Sequence, residues 1–243
     1  PISPVNLNPI TVCDQDSNPQ DGITAVDLTQ QASAILAQQP QPITSPYTIS
    51  YYTTLLDAQN QASPIINITS YVTTSREIWV RVEDNTTLNC SNIGSFQVVI
   101  NKPLSLPNSL PPLSLCDVDT NSNNQFHIFD LTQGIRTLLP LPTGATVAYY
   151  PSLALAQAGV LGTEIGTPTA YTNILPGVQT LGVVVTTASG CRSITTLDIR
   201  VLPIPTPRTN PPALAPKCDD NLPGDLLEVF DLTVNEGFIA NGD

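Results

Sequence analysis

A chain of 243 residues can hold one large domain or two of ordinary size. Its 20 acidic side chains against 8 basic ones leave a net charge of −12, which excludes nucleic-acid phosphates and anionic membrane surfaces as partners and suits a hard divalent cation. Thr, Ser, Asn, Val, Ile and Leu dominate, with frequent Pro and no apolar run near the roughly 20 residues of a spanning helix, so short strands and polar loops are expected and membrane insertion is not.

In chain order the first landmark is "CDQDSNPQDGITAVDLT", residues 13–29, followed by "ISYYTTLLDAQNQA" (49–62), "YVTTSREIWVRVEDNTTLNC" (71–90) and "FQVVINKPLSLP" (96–107). All four return in the same order as "CDVDTNSNNQFHIFDLT" (116–132), "VAYYPSLALAQAGV" (147–160), "YTNILPGVQTLGVVVTTASGC" (171–191) and "LDIRVLPIPTP" (197–207). The opening phrase appears once more as "CDDNLPGDLLEVFDLT" (218–233). The first cysteines fall at 13, 116 and 218, intervals of 103 and 102 residues, so the phrase belongs to a repeated building block. The expected division is repeat 1 over 1–103, repeat 2 over 104–205, and the start of a truncated third over 206–243. Neither a signal-peptide pattern nor an initiating Met is present, and the chain is expected to be an excerpt from a longer, processed polypeptide.

Within repeat 2 the alternating patterns predict strands near 113–116, 126–132, 145–151, 178–187 and 193–202, with helical turns at 133–139 and 152–159. Asp130 or Thr132 would cap the first turn. Several strands in about 100 residues give an all-β fold class: tandem immunoglobulin-like β-sandwich repeats of about 102 residues. The joins, 101–116 and 201–218, are Pro-rich and contain no Gly, which favours stiff extended linkers over flexible tethers.

Two cysteines recur per repeat, suggesting disulfides Cys13–Cys90 and Cys116–Cys191, with Cys218 pairing beyond Asp243. Each bond would stabilise by roughly 4 to 5 kcal/mol in the chain-entropy picture. The alternative is a set of buried free thiols in a cytosolic protein; pairing by repeat and the scarcity of Lys favour an exported one.

The acidic phrases place oxygen ligands at alternate positions, as calcium loops do. The candidate ligands are Asp14, Asp16, Asn18 and Asp27 in the first repeat and Asp117, Asp119, Asn121 and Asp130 in the second, and calcium is the cofactor they would hold. Pro19 stands where an EF-hand needs Gly, and Ala25 where it needs Glu, so this is no EF-hand. The competing reading is that Asp and Asn here are ordinary turn formers, with Asp27 and Asp130 ending a strand and starting a turn. A lone His127 without a repeat partner, no phosphate-binding Gly loop and no Cys/His zinc spacing leave no catalytic set, and no enzyme activity is expected.

Taken together, Cys116-Asp117-x-Asp119, Phe129-Asp130-Leu131-Thr132, Tyr149-Tyr150, Gly190-Cys191 and Leu202-Pro203 resemble the tandem repeats of giant cell-surface gliding-motility adhesins of Bacteroidota. The first repeat departs from the pattern at Val26 and Asn89. The resemblance implies an extracellular, outer-membrane-associated stalk exported by the type IX secretion system. Its partners would be the gliding and secretion machinery through the parent protein, and a substratum or polysaccharide through other regions. Two other readings remain open: accessory modules of a secreted polysaccharide-degrading enzyme, and a spacer in a surface filament or lattice.

Overall fold

The computed structural model describes residues 1, 3–40, 46–86, 90–118, 124–220 and 222–241. Repeat 1 contains six strands: β1 (Ile10–Cys13), β2 (Thr24–Val26), β3 (Tyr47–Tyr52), β4 (Tyr71–Thr73), β5 (Arg76–Asp84) and β6 (Ser91–Asn101). They form a four-stranded sheet, β1-β6-β5-β3, and a two-stranded sheet, β2-β4. The first strand runs parallel to the last, with Ile10 opposite Val98 and Cys13 opposite Asn101, while β5 is antiparallel to both β6 and β3.

Period-two alternation decides which faces are buried. Ile78, Val80 and Val82 of β5 point the same way as Phe96, Val98 and Ile100 of β6, joined by Ile10 and Tyr51. Val26, Leu28 and Ile35 close the same core cluster, which makes the repeat an immunoglobulin-like sandwich. Complete burial of side chains of this size stabilises by roughly 1.5–3 kcal/mol each. The Tyr51 and Phe96 rings meet edge to face at 6.2 Å.

Repeat 2 repeats the plan with β7 (Ser109–Cys116), β8 (Ile128–Phe129), β9 (Thr146–Tyr150), β10 (Tyr171–Thr172), β11 (Val178–Thr186) and β12 (Arg192–Leu202). The sheet orders are β7-β12-β11-β9 and β10-β8. Leu131, Leu181, Val183, Val185 and Leu197 are fully buried. The expected strand at 113–116 begins earlier, at Ser109, and includes Pro111 and Pro112. Its place at a sheet edge explains why two missing N–H donors are tolerated. The expected strand at 126–132 shrinks to Ile128–Phe129, because Asp130 leaves the strand to cap a 3-10 turn at Leu131–Gln133.

Short helices bridge the strands. Helix α1 (Ala32–Ala37) follows the turn after β2; α2 (Leu55–Asn60) and α3 (Leu153–Ala158) are counterparts in the two repeats. Thr54 and Ser152 cap their N-termini, accepting from the N–H groups of Asp57 and Leu155. Register matches Tyr52–Trp79 in repeat 1 with Tyr150–Gly182 in repeat 2. A Cβ at Gly182 would sit 2.4 Å from the Ala156 Cβ and 2.8 Å from the Ser152 carbonyl oxygen, so only Gly lets α3 approach β11 this closely.

The chain divides into two compact units. One comprises Pro1–Leu110, Ile135–Ile165 and Leu181–Thr196; the other comprises Pro111–Gly134, Gly166–Thr180 and Leu197–Asp243. Repeat 1 thus shares its compact unit with parts of repeat 2, including the start of β12. Among the described residues of the third copy there is no strand, only a 3-10 turn at Leu232–Asn235 and α4 (Glu236–Ala240). Leu232 is 75% exposed where its counterparts Leu28 and Leu131 are fully buried. Among the described residues no helix is long and apolar enough to cross a membrane.

Candidate functional site

The site is a covalent joint inside the first compact unit. Cys13 closes β1, and Cys191 stands buried immediately before β12. The two are disulfide-bonded across 178 residues of sequence, with Cα atoms 5.5 Å apart, within the usual span for such a bond. The expected pairs Cys13–Cys90 and Cys116–Cys191 are therefore replaced: Cys90 and Cys116 are free and exposed, as is Cys218.

The parallel pairing of β1 with β6 explains the correction. Cys13 lies opposite Asn101, at the far end of β6, whereas Cys90 precedes the near end at Ser91. The 11-residue strand between them spans roughly 35 Å. Cys116 is in the same position in repeat 2: Asp117 N–H donates to the Leu202 carbonyl at 2.9 Å, as Asp14 N–H donates to Asn101 at 2.8 Å. Cys191 lies before the opposite end of β12. A first cysteine and a trailing cysteine of one repeat thus sit at opposite poles. The equal spacing that suggested bonds within a repeat fits bonds between successive repeats equally well.

Local structure presents Cys191 for the bond. Gly190, with φ of +84°, turns the chain, and the Thr187 N–H and Cys191 carbonyl close the turn at 2.9 Å. The preceding Pro-rich segment is laid along β12 by hydroxyl donors. Ser193 Oγ donates to the Leu104 carbonyl at 2.6 Å, Thr195 Oγ1 to Pro107 at 2.6 Å and Thr196 Oγ1 to Asn108 at 3.2 Å. Repeat 1 has the corresponding contact, Asn92 Nδ2 to the Pro1 carbonyl at 2.8 Å. There Gly94 permits an approach closer still, since a Cβ would fall 1.9 Å from the Pro4 carbonyl oxygen.

The acidic loop follows Cys13 directly. Asp14 is fully buried; its Oδ2 accepts from Gly22 N–H at 2.8 Å, and its buried Oδ1 has no hydrogen-bond partner among the described residues. Asp16 Oδ1 accepts from Asn18 N–H at 2.8 Å, and Asp21 Oδ2 from Asn18 Nδ2 at 3.1 Å. Asp14, Asp16 and Asp21 each offer a carboxylate oxygen within 4.8 Å of the others. The loop is latched to the linker: Gln20 Nε2 donates to the Pro103 carbonyl at 2.9 Å, and Lys102 Nζ to the Gln20 carbonyl at 2.7 Å. Together they border an open groove of about 580 Å³ that also touches Arg192.

Asp27 stands outside that carboxylate group. Its Oδ1 accepts from the Thr29 N–H at 2.9 Å and hydroxyl at 2.6 Å, capping the turn at Leu28–Gln31. Asp130 caps the equivalent turn through Thr132, so both residues make the turn-starting contacts that the competing reading expects. Asp117 copies Asp14: it is fully buried, Oδ2 accepts from Gln125 N–H at 2.7 Å, and Oδ1 lacks a partner among the described residues. Asp119 and Asn121 lie outside the described residues. Asp219 Oδ2 accepts from Gly224 at 2.6 Å and Leu226 at 3.1 Å, and those two N–H donors hold its carboxyl below the ordinary carboxylate range.

A family model described as the Flavobacterium inter-domain disulphide bond domain matches twice, at residues 9–104 and 112–205. No curated protein matches the chain. Solved structures with some likeness include human mucin-like protocadherin EC1-2, at 12% identity and a TM-score of 0.21, covering 65% of this chain and 85% of that one. Mouse cadherin-23 EC22-24 gives 15% identity and a TM-score of 0.20, over 64% of this chain and 53% of that one. Drosophila N-cadherin EC1-4 gives 14% and 0.17, over 65% and 42%. At such scores no argument rests on the likeness.

Proposed function

The chain belongs to the Flavobacterium inter-domain disulphide bond domain family, and on that premise we propose that it is a tension-bearing stalk segment of a long cell-surface adhesin that supports gliding and attachment. The observation that carries this reading is the Cys13–Cys191 bond, which joins the first strand of one repeat to the edge of the last strand of the next. A pull applied outside the two cysteines passes through the bond and leaves the residues between them in a closed loop. Unfolding them can then release none of the roughly 600 Å that 178 extended peptide units would supply. Disulfides persist outside the reducing cytoplasm, which suits a surface location.

Along an array of such repeats the same register would pair Cys116 with the trailing cysteine of the following copy. Cys90 would pair with the first cysteine of the preceding one, and Cys218 would continue the series. Exposure of all three thiols supports this. The role is mechanical rather than enzymatic. Export by the type IX system, motion along the gliding machinery, and attachment to a substratum or polysaccharide through other regions complete the proposal.

An antibody against this chain, applied to intact cells before and after protease shaving, tests the reading. A very large cell-bound band that shaving removes, together with loss of gliding when the gene is deleted, is the expected result. A moderate-sized band free in the medium, with gliding intact, would overturn the stalk and favour accessory modules of a secreted enzyme.

A further inference from the structure

We propose that the loop after Cys13 is a calcium site whose carboxylate ligands are Asp14, Asp16 and Asp21. Three carboxylates offer oxygens within 4.8 Å of one another, and a cation among them would relieve their mutual repulsion. Asp16 and Asp21 are exposed, but Asp14 is fully buried and pinned by Gly22 N–H, leaving Oδ1 buried and without a partner among the described residues. A buried acceptor without a partner is costly, and a buried carboxylate oxygen more so.

The unpaired oxygen is no accident of one loop. Asp117 Oδ1 and Asp219 Oδ1, at the matching positions, are buried and without a partner among the described residues, each with its Oδ2 held by a downstream N–H. All three copies keep one oxygen satisfied and, among the described residues, leave the other without a donor. Lys102, the basic residue held against the first loop, gives its ammonium to the Gln20 carbonyl. The group contains neither Cys nor His, and an all-oxygen donor set on an irregular loop selects calcium over zinc, and over the strict octahedron of magnesium. Affinity in the range of extracellular modules, about 10⁻⁴–10⁻³ M, is expected. This assignment stands whether or not the chain serves as a stalk.

Equilibrium dialysis of the oxidised 243-residue chain against calcium chloride in physiological salt provides the test. Asp16→Asn with Asp21→Asn, both exposed positions, should remove one equivalent of bound calcium, or weaken it about tenfold or more, with an unchanged far-ultraviolet spectrum. Asp27→Asn should bind as the native chain does. The proposal is overturned if the folded native chain takes up no calcium at millimolar concentration, if the double variant binds as much as the native chain, or if magnesium binds equally well.

Discussion

Cys13 and Cys191 are bonded with their Cα atoms 5.5 Å apart although 178 residues separate them, so one repeat's first strand is fixed to the leading edge of the next repeat's last. Loop-closure entropy barely distinguishes this bond from the shorter alternatives. A 178-residue loop is worth about 5 kcal/mol in the chain-entropy picture, and a 77-residue loop less than 1 kcal/mol below that. What differs is which parts of the chain can separate. A bond within a repeat would staple a sandwich that already has a core; this one staples the joint.

Mass mapping of the non-reduced protein should therefore recover a peptide cross-linked through Cys13 and Cys191. Cys13→Ser should lower stability by about 2–5 kcal/mol and make the melting temperature insensitive to reductant. Recovery of a Cys13–Cys90 peptide would refute the joint.

Close packing at Gly182 predicts a second outcome. With the Ala156 Cβ only 2.4 Å from the place a Cβ would take, Gly182→Ala should cost about 1–3 kcal/mol in urea denaturation. The equivalent residue in repeat 1 is Trp79, whose own Cβ already excludes so close an approach. An Ala at 79 should therefore leave α2 in place, and its cost should reflect lost ring contacts alone.

The linker is held by side-chain donors, because Pro-rich backbone brings few of its own. Ser193→Ala with Thr195→Val removes the hydroxyls bound to Leu104 and Pro107. Each loss should cost about 1 kcal/mol. Hydrogen exchange and proteolysis should accelerate over 104–108 while the β5 and β6 amides keep their protection. Equal acceleration everywhere would show that the segment is not docked separately.

Tyr51 gives a pH signature. Burial first, and then the Asp27 carboxylate, push its phenol up to about 12 from an ordinary 10. The folded state thus holds this proton more tightly than the unfolded chain. Its contribution is complete below pH 10 and is lost as pH rises from 10 to 12. Tyr51→Phe should flatten the alkaline limb of a stability–pH curve. At pH 7 it should be at least as stable as the native chain, since the buried hydroxyl lacks a partner among the described residues.

Much of this architecture was legible along the chain. Alternation over 178–187 and 193–202 marked the two long strands of repeat 2, found at Val178–Thr186 and Arg192–Leu202, because a strand's neighbours repeat every two residues whatever lies across from it. The returning Cys-Asp and Asp-Leu-Thr phrases marked the repeat, and the preference of Asp for turns accounts for Asp27 and Asp130 as caps. None of these signals says which end of a strand meets which cysteine. That was decided by the parallel pairing of β1 with β6, which carries Cys13 to the pole opposite Cys90. Likewise Asp14, Asp16 and Asp21 converge while Asp27, equally acidic and close in sequence, does not. Periodicity is local and fixes faces; the partner across a joint depends on strand direction and on the burial that folding alone creates.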